Sequence, residues 1–229
     1  MIAVALVHVV TGSLPAGARA RPWWLSVASG ISIAYVFVHL LPDLSEAQAR
    51  WLEVTPHRPF YLFHSQVYVV ALAGVLIAVG VGRVTAPPGM RHRRFWIHTG
   101  SFALYNLLIG LFASQITHVA ALIFALLAFG AHFLVSDYNL HVEFRRDYER
   151  SGRWVLAAAI VLGWLIETLW NPPVVVVSTL LALVAGEMIL NVIKEEIPGK
   201  REGRFAAFAG GAMAYTLLLL LLARTQLRG

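Results

Sequence analysis

The chain contains no cysteine. Disulfides, thiolate metal sites and cysteine nucleophiles are therefore excluded, and the redox compartment leaves no trace in the sequence. Charge is also scarce: Asp, Glu, Lys and Arg make up 13% of 229 residues, where a soluble domain carries about a quarter. Acids are the rarer sign, twelve against eighteen Lys and Arg. No HExxH or tight His cluster is present, which removes the usual signature of a zinc hydrolase. No loop is long enough to hold a soluble domain. The apolar stretch Met1–Leu14 lacks a basic start and a small-residue cleavage site, so no separate targeting segment is expected.

What fills the chain is apolar. Hydrophobic residues make up 59%, and the mean hydropathy is +0.71. This composition points to an all-α polytopic membrane protein forming one transmembrane domain over 1–229. Eight spans are expected, at roughly 2–14, 23–43, 60–82, 96–116, 118–140, 154–170, 174–194 and 205–223, the first of them short. With the N-terminus outside, fourteen of the eighteen Lys and Arg fall in inner connections, among them Arg91, Arg93, Arg94, Arg145, Arg146 and Arg150. The positive-inside rule then puts the basic loops in the cytoplasm and the C-terminus outside. Loop charge of this kind accounts for the basic excess, and no nucleic-acid partner is expected. An inner (plasma) membrane of a bacterium is the expected location.

One stretch has a counterpart. Gly30–Asp43 reads GISIAYVFVHLLPD, and Gly186–Gly199 reads GEMILNVIKEEIPG. In each a Gly is followed twelve residues later by a Pro, with polar groups beside it: His39 and Asp43 in one copy, Glu195 and Glu196 in the other. The copies lie on the second and seventh of the expected spans, five apart, so they must point opposite ways, as inverted repeats do in secondary transporters. Each Pro leaves the carbonyl four residues back, at Val38 and Lys194, without its helical donor. Both helices are expected to end at these prolines.

Ionisable groups inside spans are costly and carry functional hypotheses. They form a ladder here. Near the outer face lie His39, Asp43, His64 and Glu167; near the middle Tyr105, Asn106 and His132. Towards the inner face come His98, Asp137, His141, Glu187, Asn191, Glu195 and Glu196. Carboxylate, imidazole and amide oxygen together suit a divalent first-row metal, and a series of weak sites suits passage. The bland alternative for each is an interfacial ion pair or a helix-to-helix hydrogen bond.

These residues resemble the ZIP (Zrt-/Irt-like) family of divalent metal transporters. HLLPDL at 39–44 is similar to the family's His-Leu-Leu-Pro-acid signature on its second helix. AGEMILNVIKEEIP, a short charged loop and GGAMAYTLLLLL are similar to its seventh and eighth helices. The resemblance implies a 3+2+3 arrangement with an inverted repeat. The family's metal centre lies on the fourth and fifth helices, and the sequence departs from it there. The fourth-helix His-Asn-x-x-acid-Gly pattern reads Tyr105, Asn106, Leu107, Leu108, Ile109, Gly110; the fifth-helix His-Glu-x-x-His-Glu pattern reads His132, Phe133, Leu134, Val135, Ser136, Asp137. What the resemblance implies is thus a reduced metal site from Asn106, His132 and Asp137, aided by Tyr105 and by Glu167 of the sixth helix. His39 and Asp43 would serve as the entrance and Glu195 and Glu196 as the exit, with Glu187 and Asn191 as substitutes for lost ligands.

The implied protein is a transporter and not an enzyme. It would move zinc, iron or manganese towards the cytoplasm, with the ion as substrate and no prosthetic group, in a lipid bilayer and as a homodimer. A transport-inactive relative acting as sensor, scaffold or partner subunit is the second reading. An intramembrane metal-dependent hydrolase is a third, and a di-haem cytochrome a fourth, for which the paired His are missing.

Overall fold

The computed structural model describes residues 1–15, 22–54, 65–83, 90–113, 119–170, 172–196 and 204–226. Every element among them is helical: α1 (Ile2–Thr11), α2 (Trp23–Tyr35), α3 (Leu41–Val54), α4 (Gln66–Gly82), α5 (Arg91–Ala113), α6 (Val119–Asp147), α7 (Arg153–Trp170), α8 (Val174–Asn191) and α9 (Phe205–Gln226). Each of the eight apolar segments seen in the sequence carries one of these helices. Among the described residues, three stretches are long and apolar enough to cross a membrane: Trp23–Glu53, Leu122–Trp170 and Val175–Lys194. Ile2–Thr11, Gln66–Gly82 and Phe205–Leu221 are apolar but shorter.

The helices pack as α2 on α9, α4 on α8 and α5 on α7, with α1 lying against both α6 and α7. Further contacts run from α2 to α6 and from α5 to α8. Glycine sets the closest of these approaches. A Cβ at Gly30 would collide with the Phe208 carbonyl and stand 2.8 Å from the Ala212 nitrogen, while one at Gly211 would collide with the Val27 carbonyl. The α4–α8 pair repeats this arrangement. A Cβ at Gly186 would strike the Ala71 carbonyl and lie 3.0 Å from the Val75 nitrogen, and one at Gly74 would strike the Leu183 carbonyl. Gly110 and Gly163 make the same reciprocal contact between α5 and α7. Without side chains at these points, backbones approach to a distance that no other residue permits.

The echo between the two sequence segments extends into the backbone. A five-residue π-helical turn, Val36–Leu40, follows α2, and another, Val192–Glu196, follows α8. Each turn begins six residues after its glycine. Burial follows the same register: Leu25, Ala28, Ser29, Tyr35 and Val36 are buried in the first copy, and Leu181, Val184, Ala185, Asn191 and Val192 at the matching positions of the second. The Val36–Leu40 turn touches α8, and the Val192–Glu196 turn touches α2.

Two expectations are corrected. The first concerns Pro42, which does not end its helix. The Leu41 amide bonds the Val36 carbonyl, five residues back, and α3 continues to Val54. A wider turn just before the Pro redistributes the carbonyls it would otherwise orphan, so the chain bends and carries on. Residues 44–54, expected as loop, are therefore an amphipathic helix. Its Gln48 accepts from the Val67 amide at 2.9 Å and donates to Gln66 at 2.9 Å. It thereby satisfies a donor at the start of α4 that has no partner within that helix.

The second concerns the connection at 141–153, which is helical almost throughout. It nevertheless reverses direction, because Phe144 leaves the helical region at φ −125° and ψ 40°. The Tyr148 hydroxyl reaches Asp137, eleven residues earlier, at 2.6 Å. A straight helix would hold those positions about 16 Å apart. The segment after Phe144 therefore folds back along α6 before α7 departs.

Candidate functional site

Polar side chains gather in two places inside this packing. The first is the meeting of α5, α6 and α8. His132 of α6 is fully buried, and its ring stands edge-on to Tyr105 of α5 with centroids 5.5 Å apart. Glu187 of α8 lies within electrostatic reach of His132. Its carboxylate is 3.5 Å from the Ser101 hydroxyl of α5. Asn106 is buried, but its amide nitrogen bonds the Phe102 carbonyl of its own helix at 2.7 Å, and its carbonyl oxygen has no hydrogen-bond partner among the described residues. Asn191, the last residue of α8, is buried, and its amide nitrogen is likewise without a hydrogen-bond partner there.

The second place joins α1, α6 and the returning segment. Asp137 is 2% exposed and His8 fully buried. The His8 Nδ1 and Asp137 Oδ2 atoms are 2.6 Å apart, and with a carboxylate as acceptor it is the imidazole N–H that donates. The Tyr148 hydroxyl approaches the same carboxylate oxygen at 2.6 Å and the His8 carbonyl at 2.9 Å. His8 also packs on Phe133, with ring centroids 4.8 Å apart. One turn below Asp137, His141 bonds Glu149 at 3.0 Å, and Arg145 bonds the same Glu149 oxygen at 3.0 Å. The Arg153 stem lies against Gly12, where an added Cβ would come within 3.0 Å of its Cδ. These contacts fix the short α1 onto α6 and α7.

The residues expected to form one metal centre thus occupy different settings. His132 stands against Tyr105; Asp137 is held by His8 and Tyr148; Asn106 bonds within α5; Glu167 sits half-buried near the end of α7. Among the described residues, no group of three or more His, Asp or Glu is arranged to hold a metal ion. Two positions where the ZIP pattern carries ligands are core here: Ile109 is 0% and Phe133 1% exposed. His39 and Asp43 do pair, at 3.5 Å across the end of the π turn, and remain partly exposed. The side chains of Glu195 and Glu196 lie outside the described residues, as does His64.

Sequence reasoning passed over His8, Tyr148 and Glu149. For His8 a signal existed, since it is the one ionisable side chain in an otherwise apolar run from Ile2 to Val10. For Tyr148 and Glu149 none did, because their roles depend on the reversal at Phe144. No protein-family model, no curated protein and no solved structure matches the chain.

Proposed function

We propose that the chain is an integral membrane protein of ZIP-like architecture that carries a divalent metal ion, of the zinc, iron or manganese class, towards the cytoplasm. The observation that carries this reading is the matched pair Gly30–Leu40 and Gly186–Glu196. In both, a glycine in backbone contact with a neighbouring helix precedes a π turn by six residues. Loop charge gives the two copies opposite directions, which is the construction expected of an alternating-access transporter. His39 and Asp43 serve as the outer mouth, and Glu195 and Glu196 mark the inner exit.

At the centre we favour His132 with Glu187, which are coupled electrostatically, over the Asn106–His132–Asp137–Glu167 set that the resemblance implies. Glu187 interacts electrostatically with His132 and lies 3.5 Å from Ser101, whereas Asp137 already accepts from two donors. The test is uptake of Zn²⁺, Mn²⁺ and Fe²⁺ into proteoliposomes. His132→Ala and Glu187→Gln should each abolish flux while Glu167→Gln leaves most of it. Flux that survives both of the first two substitutions would remove this route.

A second reading, a transport-inactive relative, is favoured by the burial of Ile109 and Phe133 where ligands are expected. It predicts no flux of any of the three ions by the unmodified protein, and recovery of a stable complex from its native membrane.

A further inference from the structure

The pair His39 and Asp43 is split between two elements. His39 lies in the π turn Val36–Leu40, and Asp43 in the first turn of α3. Their 3.5 Å separation therefore depends on the angle at which α3 leaves that turn. The backbone between them has one donor fewer than a regular helix, because Pro42 has no N–H. A wide turn followed by a proline is a joint, where helices bend, and not a rigid rod.

The angle is fixed further along α3, by Gln48. This residue lies five positions beyond Asp43, on the same inward face as Leu44 and Ala47, and is 7% exposed. Its side-chain carbonyl accepts from the Val67 amide at 2.9 Å, and its side-chain amide donates to the Gln66 side chain at 2.9 Å. Ser65, at the N-cap position of α4, makes no side-chain cap bond. Gln48 thus takes a place that a residue of the helix's own start commonly fills. The anchorage is firm, since α4 is in turn held to α8 by the backbone contacts of Gly74 and Gly186.

We propose that Gln48 is a positioning residue: by fastening α3 to the start of α4, it holds Asp43 against His39 as a two-ligand site for a divalent cation. A glutamine suits this task because one side chain accepts and donates at once. A cation bridging His39 and Asp43 resists the swing of α3 at the joint. Ion capture and the seating of α3 on α4 therefore favour each other, and the coupling is reciprocal. The inference deepens the transport reading above and rests on its outer mouth.

The test uses the full chain in proteoliposomes, with Zn²⁺ as the probe. Ala47→Cys places a thiol where burial is complete while α3 is seated, in a chain with no other cysteine. Leu44→Cys, on the same face, is a second reporter. Zn²⁺ should slow modification of either thiol by a methanethiosulfonate reagent, and His39→Ala should remove that protection. Gln48→Ala should raise the Zn²⁺ concentration for half-protection about tenfold, the scale of lost hydrogen bonds of this kind. Gln48→Glu keeps an acceptor for the Val67 amide and should bring half-protection back near its original value. The KM for Zn²⁺ uptake should rise with Gln48→Ala by the same factor, with the maximal rate kept.

A helix that was merely loosened would react faster in Gln48→Ala without a shift in half-protection, and that result overturns the proposal. So does equal impairment by Gln48→Ala and Gln48→Glu, or protection that survives His39→Ala. Protection that follows the expected pattern without any flux upholds the positioning role and removes the transport reading. Flux without protection removes the positioning role and leaves transport standing.

Discussion

The reciprocal glycine contacts give a sharp test of the packing. Replacing Gly30 with Ala adds one methyl group, which would stand 2.8 Å from the Ala212 nitrogen and nearer still to the Phe208 carbonyl. Both neighbours are backbone, so no rotamer change relieves the clash, and α2 and α9 must separate along their length. Overpacking of this kind costs about 1–3 kcal/mol. The rigid neighbours put Gly30→Ala at the upper end, about 3 kcal/mol. For a chain of this size that lowers the melting temperature by roughly 6–12 °C. Gly186→Ala should lose a similar amount, because its Cβ would meet Ala71 and Val75 in the same register.

Gly80 and Gly100 are the controls. A Cβ at either meets nothing within 4 Å, and helix propensity alone makes Ala better there by up to about 1 kcal/mol. The assay is retention of the monodisperse gel-filtration peak in detergent after stepwise heating. If Gly30→Ala and Gly80→Ala melt together, the close approach of α2 and α9 is wrong. If Gly30→Ala and Gly186→Ala differ by more than either differs from the unmodified protein, the equivalence of the two segments is wrong.

Tyr148→Phe removes the one hydroxyl proton shared between Asp137 and the His8 carbonyl and should cost about 1–3 kcal/mol in the same heating assay. His8→Ala should cost less in the Tyr148→Phe background than alone, since both act on one carboxylate. Strict additivity would show that the three groups do not form a unit. Because the chain has no cysteine, single cysteines report topology without background labelling. Glu46→Cys, on the exposed face of α3, should react with a membrane-impermeant maleimide from outside intact cells, and Arg93→Cys only after the membrane is opened. Labelling of both from one side would overturn the orientation.

The helices were largely legible because hydropathy alone marks apolar segments of this length. The kinship of the two glycine segments was legible for a different reason. A Gly and a Pro twelve residues apart act through the backbone, and their spacing can be read directly from the sequence. The π turns between them were not legible, since nothing in VFVHL or VIKEE distinguishes a five-residue turn from an α-helical one. That is also why Pro42 read as a stop. At the candidate site, His39 with Asp43 was readable as a pair one helical turn apart. The partners of Asp137 were not. One lies 129 residues away on α1, and the other depends on a single non-helical residue, Phe144. Pattern within a helix could not assign either. Glu187 stood out as an acid in an apolar run, but its approach to Ser101 follows from how α8 packs on α5 and not from its own segment.

The bonding of Tyr148 and Asp137 to His8 also bears on how the protein is made. A ribosome delivers α1 first, yet the groups that hold it emerge 129 and 140 residues later. Meanwhile a ten-residue apolar helix must wait with a histidine whose partners have not yet been made. α2 waits longer still, because the backbone that covers Gly30 belongs to α9. Chains interrupted before Tyr148 would leave Asp137 without one of the two donors that hold it.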